Sequence, residues 1–109
     1  PHIMVPALTL ESRTPARLSV MRALWGEVTP DIRAVLIRPT GPAAFRIEFY
    51  LHGDTVAEFF ESASIIEALT MADFPPETDI SHDVIRLDAP GKIPVGEDGW
   101  LIFRRSEAR

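Results

Sequence analysis

The sequence predicts an α+β domain: a two-layer sandwich with two helices on one face of a four-stranded, mainly antiparallel sheet, in the order αββαββ. Three observations predict it. Residues 44–51 alternate apolar and polar side chains with a period of two, the signature of a half-buried strand. Residues 15–27 and 55–73 carry apolar residues at helical spacing. Proline and glycine cluster at 39–42, 74–76 and 89–99 and cut the chain between these segments. One sheet covered by both helices is the economical packing of such a set.

Each element has a local cause. The first helix is expected from Pro15 to about Glu27, with Thr14 as N-cap and Pro15 in the first turn, where its missing N–H costs nothing. Leu18, Met21, Leu24, Trp25 and Val28 recur at helical spacing and predict its core stripe. Gly26 and then Thr29-Pro30 stop it. Ile32 to Arg38 reads as a strand, but Val35, Leu36 and Ile37 are consecutive and leave its inward face ambiguous. Ala44 to Leu51 is clearer. Phe45, Ile47, Phe49 and Leu51 are expected on the core, and Arg46, Glu48, Tyr50 and His52 on an open face. The short link between these strands makes a hairpin.

His52-Gly53-Asp54 is a turn. Thr55 and Glu58 have the spacing of a capping box and open a second helix that runs to about Asp73, before Pro75-Pro76. Val56, Phe59, Ala63, Ile66 and Thr70 form its core line, with Phe60 beside them. Ile80 to Asp88 and Trp100 to Arg105 complete the strands. The eleven residues from Ala89 to Gly99 are long for a hairpin, a length that marks a mobile or functional segment.

Composition excludes several functions. The 109 residues suffice for one domain, 1–109, with 46% apolar and 25% charged residues, ordinary for a globular chain. No apolar run is long enough to span a membrane. Cysteine is absent, which removes disulfides, zinc–thiolate sites and thiol nucleophiles. Residues 1–3 resemble a tag remnant before Met4, and 4–13 read as a lead-in without a secretory pattern; cytoplasm is the expected location. The net charge of −5 has the wrong sign for a general nucleic-acid binder. That charge is segregated. Residues 54–98 hold eleven acids against Arg86 and Lys92, whereas the flanking stretches are each weakly positive. An acidic block of this kind focuses negative potential on a basic partner.

No catalytic motif emerges. Asp79, His82 and Asp83 form a D-x-x-H-D string, but a strand points Asp79 and Asp83 one way and His82 the other, so no metal site is expected. The serines lie in no nucleophile elbow, and no phosphate-binding glycine loop is present. Glu67 falls near Phe60 and one turn from Ala63 and Met71. An apolar setting there would suit a general acid or base, whereas a carboxylate at the stripe's edge would reach water. Arg46, Tyr50 and Arg104 could make a nucleic-acid platform, yet the aromatic pair of such surfaces is missing and the acidic block repels phosphate. Ile65 and Leu69, four apart on the outer side of the second helix among Glu58, Glu61 and Ser62, either receive the first helix or form an apolar patch rimmed by carboxylates.

Three strings, GEVTPDIRAV (26–35), MADFP (71–75) and VIRLDAP (84–90), with the strand RIEFY (46–50), resemble a family of small bacterial proteins. These are encoded near polymorphic or contact-dependent inhibition toxins, and some are immunity proteins. The resemblance spans about residues 18–105. It implies a stoichiometric protein inhibitor without a reaction or cofactor of its own, holding a toxin domain such as a basic nuclease. On this reading Glu58, Glu61, Asp73, Glu77, Asp79 and Asp83 steer the partner, and Ile65 and Leu69 anchor it. Two other classes compete: a subunit that self-associates through the sheet edge or second helix, and a small hydrolase using the open sheet face, with His52 or Glu67 as base.

Overall fold

The computed structural model describes residues 10–107, and residues 1–9, with most of the expected lead-in, lie outside them. Six elements follow the expected order: α1 (Leu10–Leu24), β1 (Ile32–Gly41), β2 (Ala44–Leu51), α2 (Val56–Met71), β3 (Asp79–Arg86) and β4 (Trp100–Arg104). The strands form one mixed, mostly antiparallel sheet in the order β3-β2-β1-β4.

Chain geometry explains the order. The β1–β2 turn is two residues long, and Ala43 sits at φ 56°, where a side chain costs on the order of 1 kcal/mol. After β2 the sixteen residues of α2 run back about 24 Å along the sheet. The next strand therefore starts at the same end as β2, and β2 and β3 pair in parallel. β4 pairs with β1 at the far edge, so the segment after β3 is not a hairpin. It crosses the reverse face of the sheet.

That crossing overturns one expectation. Phe45, Ile47, Phe49 and Leu51 do face the helices, in a core with Val35, Ile37, Phe59, Ala63 and Ile66. The reverse face is not open, because Glu48 is only 4% and Tyr50 only 3% exposed. Ile93 and Val95 of the crossing segment, with Ile85, Leu87 and Leu101, cover Ala34, Leu36 and Tyr50. β1 is thus buried on both sides from Ile32 to Ile37, which is why its sequence shows no alternation. Gly99 ends the crossing where a Cβ would lie 2.1 Å from the carbonyl oxygen of Val95. Gly99→Ala is expected to destabilise the protein by about 1–3 kcal/mol through overpacking, measured by urea unfolding.

The helices carry four further corrections. α1 begins at Leu10, so Thr14 is not its N-cap and Pro15 lies inside it. Its buried face is the small one, Ala16, Ser19, Val20 and Ala23 with Leu24. Leu18, Met21, Trp25 and Val28 of the expected stripe are exposed. Small side chains let α1 approach the sheet and α2 closely, and the bulkier apolar residues are left outside. α2 buries Phe59, Ala63, Ile66 and Thr70 as expected, while Phe60 is exposed. The Thr55–Glu58 capping box does not form. Thr55 sits at φ −94°, ψ 8°, away from the extended backbone a cap prefers, and its buried hydroxyl makes no hydrogen bond.

Candidate protein-binding surface

On α2, residues 58, 61, 65 and 69 are spaced by three or four and so fall on one side of the helix. Glu58 and Glu61 are exposed there, and Ile65 and Leu69 are 41% and 52% exposed. α1 does not cover them fully. Leu69 instead borders a hollow of about 270 Å³ between the helices, with Ser19, Arg22, Ala23, Ala72 and Asp73. Asp73, just past the end of α2, accepts hydrogen bonds from the Ser19 hydroxyl at 2.6 Å and from Arg22 Nη2 at 3.3 Å. It therefore joins α2 to α1 and has its charge partly offset by Arg22, a neighbour that no sequence pattern indicated.

The remaining acids divide. Glu77 is exposed in the segment before β3, and Asp79 opens β3 with its N–H bonded to the Ala43 carbonyl. Asp83 lies on the reverse side of the sheet, 3.4 Å from Arg46 Nε. The structure thus brings Glu58, Glu61, Ile65 and Leu69 together, sets Asp73 at their end, and places Asp83 on another face.

The other titratable candidates are engaged within the protein. His82, on the helix side of β3, lies 2.6 Å by its Nδ1 from Glu67 Oε1, so α2 and β3 are linked by this pair. Glu67 is neither isolated among apolar groups nor free at the surface. His52 Nδ1 accepts the Ala89 N–H at 3.0 Å. Asp88 accepts from Arg86 and from the Gly53 N–H, and these bonds, Arg86 first, hold its carboxyl down at about 2. Arg86 also pairs with Asp54.

The densest charged cluster lies under the crossing segment. Glu48 accepts hydrogen bonds from Arg38 Nε, from Arg46 Nε and Nη2, and from the Tyr50 hydroxyl at 2.8 Å. Burial pushes its carboxyl up, but the bonds from Tyr50, Arg46 and Arg38 outweigh burial and hold it below the usual range. Burial, and then Glu48, push the Tyr50 phenol up to about 12. Arg38 reaches beyond Glu48 to the carbonyls of Pro94 and Val95 and to Asp98. The row expected to offer a catalytic or base-stacking face is therefore a clasp for the crossing segment. A similar clasp holds the C-terminal side, where buried Arg33 grips Glu107 through two nitrogens and bonds the Leu87 carbonyl. Arg33 and then Arg105 hold the Glu107 carboxyl down at about 2 despite a smaller opposing effect of burial.

Two helices over a mixed four-stranded sheet, with acidic and apolar side chains along the outer helix, define a small α+β sandwich whose charged interior is committed to structure. The sequence profile of the MafI2 immunity proteins matches residues 13–107. The chain belongs to the MafI2 immunity protein family. The resemblance to immunity proteins read from the sequence therefore holds at the level of family, and membership implies a protein partner, a toxin. Comparison with curated proteins gave no match. Among the described residues no helix is long and apolar enough to cross a membrane.

Proposed function

We propose that this protein neutralises a cognate toxin domain in the bacterial cytoplasm by stoichiometric binding, with no reaction of its own. Family membership supports the protein partner. The observation that carries the choice of surface is the exposed line on α2, where Ile65 and Leu69 stand beside Glu58 and Glu61. Apolar anchors rimmed by charge are the usual anatomy of a protein interface. The carboxylates, with Asp73, Glu77 and Asp79 beyond the helix end, steer a basic domain. Asp83 contributes to the long-range field from the other face.

The test is binding to the toxin domain encoded beside this gene, at low and high salt. Glu58→Lys with Glu61→Lys is expected to slow association about tenfold at low salt and leave dissociation nearly unchanged. Ile65→Ala with Leu69→Ala is expected to act mainly on dissociation, because buried anchors set the lifetime of a complex. Absence of a complex at micromolar concentration rejects the pairing.

A further inference from the structure

The apolar stripe of α1 that faces outward continues into a groove. Met21, Leu24, Trp25, Val28, Ile102 and Phe103 line it, around a volume of about 310 Å³. Trp25, at 87% exposure, stands at its rim. The groove owes part of its wall to a β-bulge. Leu36 pairs with Leu101 and Val35 with Phe103, so Ile102 is an extra residue in β4. Ile102 and Phe103 consequently both turn to the helix side and pack on the main core.

We propose that this groove seats a second copy of the same chain, forming a two-fold dimer in which Trp25 of each copy enters the groove of the other. The patch holds a projecting indole and a hollow side by side, as a self-complementary two-fold contact requires. Its volume is at the lower end of cavities that take a small molecule, enough for an indole ring. Leu18, Met21, Trp25 and Val28 are 43–87% exposed, an apolar surface that two copies would contribute twice over to the ~1,000 Å² of a specific interface.

Charge selects a second copy over a basic partner at this site. Among the described residues no charged side chain lines the groove, so they offer a basic domain nothing to pair with there. The strand order sets β4 and β3 at opposite edges; α2 packs on β3, and α1 packs against α2 and reaches β4. Two chains of net charge −5 meeting beside β4 thus touch through α1 and β4 and not through the acidic face of α2, and salt screens the repulsion that remains. The bulge and the exposed Arg104 disfavour extension of the sheet itself through β4. Contact therefore runs through the groove. This inference does not depend on the toxin-binding reading.

Sedimentation of the full chain over about 1–500 µM tests it. The wild type is expected to rise from a 12.1 kDa monomer towards twice that mass. Trp25→Glu is expected to stay monomeric, and so is Met21→Glu, with unchanged circular dichroism. A wild type that remains monomeric throughout overturns the proposal, as does a dimer that survives both substitutions. If the wild type is monomeric and Trp25→Glu abolishes toxin binding, the groove belongs to the toxin and self-pairing is wrong.

Discussion

Glu48→Ala is expected to lower the stability of the protein by about 3–5 kcal/mol, the cost of removing one partner from a buried ion pair. The carboxylate is buried and holds Arg38, Arg46 and Tyr50 at once. Without it, the Arg38 guanidinium keeps only Asp98 and two carbonyls, and the buried Tyr50 hydroxyl loses its acceptor. Urea unfolding measures the loss, and hydrogen exchange in residues 93–98 is expected to rise with it, because Arg38 ties Pro94, Val95 and Asp98 to the sheet. Glu48→Gln keeps the shape and one acceptor and should cost less. The same group gives the wild type an acid limit. Its folded-state affinity for protons is below that of the unfolded chain, so its contribution is full above the ordinary carboxylate range and disappears as pH falls through the lowered value. Asp88 and Glu107, each held at about 2, act in the same direction between about pH 4 and pH 2. Stability is therefore expected to fall steeply below pH 4 in the wild type and less steeply in Glu48→Ala.

Phe49→Ala is the second large effect, also expected at about 3–5 kcal/mol. Phe49 is fully buried at the centre of the sheet. Its ring lies 5.2 Å from that of Phe59 on α2 and 6.5 Å from the His82 ring on β3. Truncation removes the ring of β2 that α2 and β3 share and leaves a cavity between layers that cannot collapse without moving α2. Thermal unfolding measures it. Because α2 carries the proposed toxin surface, Phe49→Ala is also expected to weaken binding in proportion to the fraction unfolded. Ile65→Ala with Leu69→Ala, at exposed positions, should weaken binding without shifting the melting temperature by more than a degree or two.

The features the sequence made legible are those in which one physical signal acts alone. The alternation from Phe45 to Leu51 gives β2 and its core face, and the buried line of α2 follows from the spacing of Phe59, Ala63, Ile66 and Thr70. Legibility fails where two demands meet on the same residues. Val35, Leu36 and Ile37 look ambiguous because both sides of β1 are covered. Glu48 and Tyr50 look exposed because their type is polar, and the segment that covers them is tied down through Arg38, whose acceptors at Pro94 and Val95 are distant backbone carbonyls with no sequence signal. On α1 the larger apolar residues drew the core stripe to the wrong side, since Ala16, Ser19 and Ala23 carry little hydrophobic weight. Of the proposed binding residues, Glu58, Glu61, Ile65 and Leu69 share a face because helical spacing is local. Asp73, Glu77, Asp79 and Asp83 could not be placed without the path of the chain between α2 and β3.

The pairing of β4 with β1 has a consequence for the timing of synthesis. Val35 finds Phe103, and Leu36 finds Leu101, only after every other element has been made. Until then the chain lacks Ile102 from its core and, among the described elements, the strand that pairs with the outer edge of β1. Closure over so long a separation is slow compared with the β1–β2 hairpin. The outer edge of β1 is therefore the last pairing of the described elements to be completed.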